Sequence, residues 1–278
     1  MHTAIYKYIF LCYTSLEVII MALIDMNYYS KALNSQVALN VILPEVNKKQ
    51  SGVGAIGTTY KTLYLLHGLS DNCNSWIRFT AIERYAKDYN IAVVMPSVGR
   101  SWYSDTAYEA NFFTFITKEL PEVCQGYFKG MSEKREDNFV AGLSMGGYGA
   151  MKAFLTHPEI YGGCASLSGS LDITRKGRPY NINEWRGNFG FDHSDASELE
   201  GTKNDLFALL KNYPKADYPD SRIFMWCGTE DSLIRINRIF DKTLEELSIN
   251  HVYTESEGDH SWKWWDLHIQ DALAYLFK

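Results

Sequence analysis

The stretch FVAGLSMGGYGAMKAF, residues 139–154, decides the fold that this sequence encodes. At Ser144 an apolar run typical of a buried strand gives way to a pattern typical of a helix. The junction holds four glycines: Gly142, Gly146, Gly147 and Gly149. Because glycine costs about 0.5–1 kcal/mol relative to alanine inside a helix or strand, we infer that a sharp turn around Ser144 requires them.

Strand and helix patterns alternate along the rest of the chain. Strand patterns lie at 61–68, 91–98, 138–144, 162–170, 222–228 and 251–258, and an alternating run predicts an early antiparallel strand at 35–44. Helical spacing marks 75–89, 107–128 with a kink before Pro121, 145–157, 232–247 and 261–277. Strands that alternate with helices need crossover connections, so we expect an α/β fold whose mostly parallel central sheet is flanked by helices.

Length and composition fit one large domain. The chain has 278 residues, 46% of them hydrophobic, and a net charge of −6 without any Lys/Arg-rich run, which argues against a nucleic-acid partner. No stretch is long and apolar enough to suggest a membrane span. The five cysteines are scattered with no C-x-x-C pair. That spacing favours free thiols in a reducing cytoplasm over a disulfide framework or a zinc site.

The pattern G-x-S-x-G at Gly142, Ser144 and Gly146 predicts a nucleophile elbow. In such a turn the serine hydroxyl projects at the top of the sheet, and the residues two before and two after it must be small. The following helix begins at Met145, so its backbone N–H groups lie where an oxyanion would develop. Ser144 is therefore the candidate nucleophile.

A serine hydroxyl needs a base, and the chain order of this motif is serine, acid, histidine. His260 follows the last predicted strand and precedes the last helix, so it is the candidate base. The acid should follow the preceding strand, where Glu230 and Asp231 compete, and Asp231 is favoured because the next helix begins directly after it. His251 opens a predicted strand and His268 lies within a predicted helix, so both are interpreted as structural or solvated. His157 lies where a predicted helix ends, and His193 lies in the polar stretch 171–221.

The second oxyanion donor is expected in the loop after an earlier strand. There the sequence runs His67-Gly68-Leu69-Ser70, so we expect the backbone N–H of Leu69 to act together with that of Met145. His67 does not fit the chain order expected of the base, and we interpret it as a positioning residue.

Six motifs in combination resemble the tributyrin esterases of Firmicutes, in the esterase D and S-formylglutathione hydrolase branch of the α/β-hydrolases. The motifs are LYLLHGLSDNCNSW, SWYSDTAYEANFFTFITKELP, FVAGLSMGGYGAMK, WRGNFG, WCGTEDSL and GDHSWKWW. The resemblance runs from about Met21 to the C-terminus, and Ser144, Asp231 and His260 fall on the triad positions of the family. It implies a cytoplasmic carboxylesterase for short acyl chains that needs no metal or organic cofactor and forms a homo-oligomer, either a dimer or a tetramer. Cys73 departs from the family pattern, and we interpret it as a packing residue.

The polar, aromatic-dotted stretch 171–221 breaks the strand–helix rhythm and is interpreted as an insertion over the active site. Six aromatic residues could close a small acyl pocket there, or could instead anchor the insertion: Trp102, Tyr103, Tyr180, Trp185, Phe189 and Phe191. A small pocket would favour acetyl to butyryl esters over octanoyl and longer ones. The alternatives are an S-formylglutathione hydrolase or other thioesterase, a carbohydrate acetyl or feruloyl esterase, and a catalytically dead scaffold.

Residues 1–20 precede the region of resemblance. The sequence MALIDMNYYSKAL from Met21 is typical of a natural N-terminus, and Leu16-Glu17-Val18 can be encoded by a ribosome-binding sequence. We therefore expect residues 1–20 to be a translated leader outside the native protein, and residues 21–278 to form a single domain. The alternative is an N-terminal helix that docks on the domain or on an oligomer partner.

Overall fold

A computed structural model describes residues 20–45, 59–174, 181–190 and 196–278 of the chain. Within them, eight strands form one sheet in the order β1-β2-β4-β3-β5-β6-β7-β8. The strands are β1 (Ile20–Ser30), β2 (Ser35–Glu45), β3 (Thr62–Leu66), β4 (Ala92–Pro96), β5 (Asn138–Leu143), β6 (Gly163–Leu167), β7 (Arg222–Gly228) and β8 (Val252–Ser256). From β4 to β8 the neighbouring strands are parallel, whereas β1 and β2 are antiparallel additions.

Helices cover both faces of the sheet. They are α1 (Ser75–Phe79), α2 (Ile82–Tyr89), α3 (Phe112–Thr114), α4 (Leu120–Tyr127), α5 (Met145–Thr156), α6 (Ile182–Phe189), α7 (Leu206–Lys211), α8 (Ile234–Glu246) and α9 (Trp262–Leu276). One core joins α1, α2 and α9 to the sheet, and the other joins α4, α5, α7 and α8 to the opposite face. The inner parallel strands β3, β4 and β5 are buried on both faces, as their continuous apolar runs predict.

The antiparallel strand predicted at 35–44 is β2, which pairs with β1 on one side and β4 on the other. No element is predicted for β1 from the sequence, because this stretch mixes polar and apolar residues. It is an edge strand whose outward side chains are exposed at Leu23, Asp25 and Tyr29. The inward Ile24 and Met26 pack on the core, so the alternation is that of a half-buried strand. Residues 1–19, which hold most of the predicted leader, lie outside the described residues.

Two predicted helices differ from the structure. The helix predicted at 75–89 is two helices, since the Thr80 hydroxyl accepts from the Ile82 amide and ends the first one. The helix predicted at 107–128 begins only at Phe112. A π-helical turn, Phe115–Glu119, supplies the irregularity predicted before Pro121, which then lies in the first turn of α4.

Between β6 and β7 lies the stretch predicted as an insertion, here called the β6–β7 segment (residues 171–221). Its described part contains α6, a short 3₁₀ helix at Ala196–Leu199 and α7. Asn181 caps α6 and Asp205 caps α7 through their side-chain oxygens. Over the described ranges, no helix is both long and apolar enough to cross a membrane.

Candidate active site

Ser144 lies at the turn between β5 and α5 in a strained backbone conformation, with φ 53° and ψ −115°. Two glycines make this turn sterically possible. A Cβ atom on Gly142 would lie 2.4 Å from the backbone of Gly146, and one on Gly146 would lie 2.4 Å from the carbonyl oxygen of Leu66. The elbow is thus built from backbone packed on backbone, which explains the small residues on both sides of the serine.

The structure brings Ser144, His260 and Asp231 into one hydrogen-bonded chain. The Ser144 hydroxyl lies 3.0 Å from His260 Nε2, and His260 Nδ1 lies 2.7 Å from Asp231 Oδ2. Asp231 follows β7, and His260 lies between β8 and α9, so all three residues come from the carboxyl ends of strands. With Nδ1 donating to the carboxylate, Nε2 is free to accept the serine proton.

Asp231 is suited to hold the imidazole because it is a buried carboxylate that remains ionised. Only 2% of its surface is exposed. Burial raises the pKa of Asp231, but the hydrogen bonds from His260 and from the Leu233 amide (2.8 Å) outweigh this effect, so its pKa lies below the ordinary aspartate value.

Glu230, the alternative acid, has a hydrogen-bond partner other than His260. Its carboxylate is exposed and accepts from the Gly258 amide at 2.7 Å, which fixes the loop before His260. This backbone hydrogen bond lowers the pKa of Glu230. The geometry therefore places Asp231, rather than Glu230, against the imidazole.

The predicted oxyanion loop lies directly beside the serine. A Cβ atom on Gly68 would be 2.6 Å from the Leu143 side chain and 3.7 Å from Ser144 Cβ, so the loop carrying Leu69 passes against the elbow. On the other side, Met145 is the first residue of α5, and its amide has no acceptor within the helix. Cys73 ends this loop as a buried packing residue, and its amide donates to the Ser97 hydroxyl.

His67 is buried beneath the oxyanion loop, where burial lowers its pKa. Its Nδ1 donates to the Gly68 carbonyl at 2.7 Å, and its Nε2 accepts from the Val98 amide at 3.1 Å. Both ring nitrogens are therefore engaged by backbone groups, as a positioning residue requires. The other described histidines have carboxylate partners away from Ser144: His157 with Glu159, His251 with Asp241 and His268 with Asp271. His193 lies outside the described residues.

The described aromatic residues among those predicted to line an acyl pocket pack against other rings. Trp102, Tyr103 and Trp185 are each no more than 4% exposed, which favours the anchoring alternative for these three. The rings of Trp102 and Trp185 lie 5.5 Å apart, and Phe189 lies 4.6 Å from Trp185. Tyr180 and Phe191 lie outside the described residues.

An ionic tether that sequence reasoning missed also joins α6 to the oxyanion loop. Arg100 donates to the Ser70 hydroxyl at 2.6 Å and pairs with Glu184 at 2.7 Å. Glu184 in turn accepts from the Trp102 indole at 3.2 Å. Arg100 and Glu184 are 84 positions apart, and no local pattern in the sequence connects them.

The described ranges contain no group of histidine, cysteine, aspartate or glutamate side chains that could hold a metal ion. The site instead combines the Ser144 hydroxyl, which lies beside a histidine base, with nearby backbone N–H donors. This arrangement is the one used for acyl transfer.

Comparison with known proteins agrees with this geometry. The Esterase family model, described as "Putative esterase", matches residues 30–276. An acetyl esterase of Caldicellulosiruptor saccharolyticus is 34% identical over 269 residues, which cover 93% of this chain and 99% of the relative.

Two solved structures from Staphylococcus aureus each cover 93% of this chain and 99% of their own. FphF, a fluorophosphonate-binding serine hydrolase, superposes with a TM-score of 0.84 at 31% identity. The S-formylglutathione hydrolase FrmB superposes with a TM-score of 0.80 at 32% identity. The predicted α/β-hydrolase fold and the predicted esterase branch are both confirmed. The chain therefore belongs to the Esterase family and is a serine carboxylic ester hydrolase.

Proposed function

We propose that this esterase hydrolyses short-chain acyl esters, from acetyl to butyryl, through an acyl-enzyme formed on Ser144. The hydrogen-bonded chain from Ser144 through His260 to Asp231 is the observation that carries the proposal. In this assignment His260 is the general base, Asp231 orients its imidazole, and the amides of Leu69 and Met145 bind the oxyanion.

The reaction follows from these positions. His260 Nε2 takes the Ser144 proton as the serine oxygen bonds to the ester carbonyl carbon, and the carbonyl oxygen becomes an oxyanion. When the tetrahedral intermediate collapses, the carbon–oxygen bond to the alcohol breaks and His260 returns the proton to the leaving oxygen. A water molecule deprotonated by His260 then attacks the acyl-enzyme, and Ser144 regains its proton as the acid departs. Every step uses groups of the chain and one water molecule.

The short acyl preference is supported by the way the β6–β7 segment is anchored. The ring cluster of Trp102, Trp185 and Phe189, together with the Arg100–Glu184 pair, ties α6 to the loops beside Ser144. We infer that a segment held this way restricts the length of the acyl chain that can bind. The name of the acetyl esterase relative is consistent with a short acyl group.

A thioester substrate is the second candidate, because the similar FrmB structure is an S-formylglutathione hydrolase. The same serine chemistry would serve a thiol leaving group. A ferulic acid esterase shares the fold at 20% identity, which supports the architecture alone.

A substrate panel tests the proposal. We would measure kcat/KM for p-nitrophenyl acetate, butyrate, octanoate and dodecanoate, for S-formylglutathione and for acetylated oligosaccharides, with Ser144→Ala as the blank. We expect acetate and butyrate to be preferred, and the blank to lose about 10⁶-fold in kcat. A flat or rising kcat/KM through dodecanoate would refute the short acyl preference, and an active blank would remove Ser144 from the mechanism.

We also propose that the enzyme works in the cytoplasm and forms a homo-oligomer, a dimer or a tetramer. The cytoplasmic location is supported by the four described cysteines, which are all free and buried. The oligomer rests on the family resemblance alone. Cell fractionation tests the first proposal and light scattering on the purified protein tests the second.

A further inference from the structure

We propose that Tyr103 is a positioning residue for the oxyanion hole, because its hydroxyl holds the backbone carbonyl of His67 and thereby fixes the loop that presents the Leu69 amide. This inference rests on the proposed function, since it takes Leu69 as an oxyanion donor. It gives Tyr103 a role different from the pocket lining or anchoring predicted from the sequence.

The contact between Tyr103 and His67 lies at the base of the elbow. Tyr103 is fully buried, and its hydroxyl donates to the His67 carbonyl oxygen at 2.8 Å. The same oxygen would lie 2.7 Å from a Cβ atom on Gly146. The His67 carbonyl is thus enclosed between the tyrosine hydroxyl and the turn that carries Ser144. Burial raises the pKa of Tyr103, which keeps the hydroxyl protonated as a donor.

The hydrogen bond fixes the start of the oxyanion loop. The His67 carbonyl belongs to the peptide unit that leads into Gly68, and the next unit carries the N–H of Leu69. The His67 ring is already held at both nitrogens, by Gly68 and Val98. With its carbonyl held by Tyr103 as well, the residue has little freedom left to rotate the loop away from the serine.

The backbone at Tyr103 is strained, and the strain needs support. Trp102 and Tyr103 have φ values of 52° and 47°, in the left-handed region that bulky residues rarely adopt. Such conformations persist only where the surroundings determine them. Here Ser101 accepts from the Tyr103 amide at 3.2 Å, and the Ser104 hydroxyl donates to the Trp102 carbonyl at 3.1 Å.

Lys152 completes this support from the helix that begins at the nucleophile. Its fully buried Nζ lies within hydrogen-bond distance of the Tyr103 carbonyl oxygen, at 3.1 Å, and of the side-chain oxygens of Ser104 and Asn204, at 3.0 and 2.7 Å. A buried amine is tolerated only when it is hydrogen-bonded in this way. On the same helix, a Cβ atom on Gly149 would lie 2.4 Å from the Tyr103 ring, so the glycine makes room for it. Helix α5 therefore carries Ser144 at its start and secures the support of the oxyanion loop farther along.

Removing a single hydroxyl tests the proposal. Tyr103→Phe keeps the ring, and Tyr161→Phe is a matched control because Tyr161 is equally buried and also donates to a backbone carbonyl, that of Ile116 at 3.3 Å. On p-nitrophenyl acetate we expect Tyr103→Phe to lower kcat about tenfold and to change KM by less than about twofold. The shifted Leu69 amide would bind the oxyanion of the transition state less well, whereas binding of the substrate does not depend on that hydrogen bond. The control should keep the wild-type kcat. Both variants should lose similar thermal stability.

A transition-state analogue separates positioning from general loosening. A trifluoromethyl ketone forms a tetrahedral oxyanion on the serine, so its affinity should fall in Tyr103→Phe by the same factor as kcat/KM. A kcat of Tyr103→Phe equal to that of the control, or an unchanged analogue affinity, would overturn the inference while leaving the proposed function intact. An active Ser144→Ala variant would instead overturn the proposed function. Should Tyr103→Phe fold poorly, Lys152→Met provides a second test, because it removes the contact of Lys152 with the Tyr103 carbonyl and keeps the tyrosine. This variant should also lower kcat without raising KM.

Discussion

The elbow around Ser144 and the β6–β7 segment both follow the carboxyl ends of strands, but they are held in different ways. At the elbow, backbone atoms touch backbone atoms, because Gly142 lies against Gly146, and Gly146 lies against Leu66. In the β6–β7 segment, side chains make most of the attachment, with Trp185 packed on Trp102, beside one backbone hydrogen bond from the Ala107 amide to the Gly187 carbonyl. The elbow has no space for an added atom at these contacts, whereas the β6–β7 segment can accept the substitution of one side chain by another.

This difference matches the two demands on an esterase. The nucleophile must keep one geometry for all substrates, and a turn made of backbone contacts ensures it. The surroundings of the acyl group must differ between substrates, and a segment attached through side chains can change without disturbing the elbow. Activity on esters should therefore depend on the first region, and substrate preference on the second.

The largest expected effect concerns Asp231, the acid that we propose orients His260. Asp231→Asn should lower kcat by about 10⁴-fold, because an amide favours the wrong tautomer of the imidazole. The fold should persist, since the amide oxygen can still accept from the Leu233 amide. Steady-state kinetics on p-nitrophenyl acetate measures the loss.

Glu230→Gln is the matched control for that change. The carboxylate of Glu230 is exposed, and a glutamine oxygen can still accept from the Gly258 amide, so the variant should keep kcat within about threefold of wild type, as exposed substitutions usually do. If Glu230→Gln were the more damaging of the two substitutions, the assignment of Asp231 would be wrong.

Gly146→Ala tests the backbone construction of the elbow. The added Cβ would lie 2.4 Å from the Leu66 carbonyl oxygen and 2.7 Å from that of His67. Such overpacking typically costs about 1–3 kcal/mol or more in the free energy of unfolding. Urea denaturation would measure this cost, and the displaced His67 carbonyl should lower kcat as well. A variant with wild-type stability and kcat would show that the elbow is not as tightly packed as described.

The buried amine of Lys152 predicts a pH dependence of stability. Burial lowers the pKa of Lys152 from 10.5 to about 7, against the opposing effect of Asp105. Between these two values the unfolded chain holds the proton and the folded chain does not, so the free energy of unfolding should rise with pH. Relative to Lys152→Met, the wild type should gain up to about 1.4 kcal/mol per pH unit between pH 8 and 9. Urea denaturation of both proteins at each pH would measure this gain. A difference in the free energy of unfolding that stays constant from pH 8 to 9 would contradict the lowered pKa.

The smallest expected effect is a gain in stability from a substitution in the β6–β7 segment, opposite in sign to the loss expected for Gly146→Ala. Gly187 lies within α6, and a Cβ atom there would have no heavy atom within 4 Å. Gly187→Ala should therefore stabilise the fold by about 0.4–1 kcal/mol through the unfolded state and the helix propensity of alanine. Thermal unfolding would detect the gain. The same substitution that damages the elbow would thus help the segment, and a loss of stability at Gly187 would weaken the contrast between the two regions.

The elbow was predictable because its signals are local. A buried strand, the G-x-S-x-G spacing and a helix pattern follow each other within residues 139–154. The chain order then selected His260, and the start of the next helix favoured Asp231 over Glu230. In the structure the two side chains lie within hydrogen-bond distance of each other, and His260 lies within reach of Ser144.

The missed features depend on contacts between distant parts of the chain. Strand β1 has a weak pattern because its outer face is exposed at the edge of the sheet. Whether Trp102 and Tyr103 face a ligand or the core depends on where α5 and α6 pack, and no spacing along the chain reveals it. Lys152 resembles any other helical lysine in the sequence, and only the fold brings three oxygen atoms within hydrogen-bond distance of its Nζ.

Active-site labelling tests the central claim, that Ser144 is the nucleophile of this esterase, most directly. The enzyme would be treated with a fluorophosphonate, which reacts with activated serines, and the adduct located by intact mass and peptide mapping. We expect one phosphonyl group per chain, on Ser144, and no adduct in Ser144→Ala. An adduct on another residue, or an unlabelled chain that still hydrolyses p-nitrophenyl acetate, would contradict it.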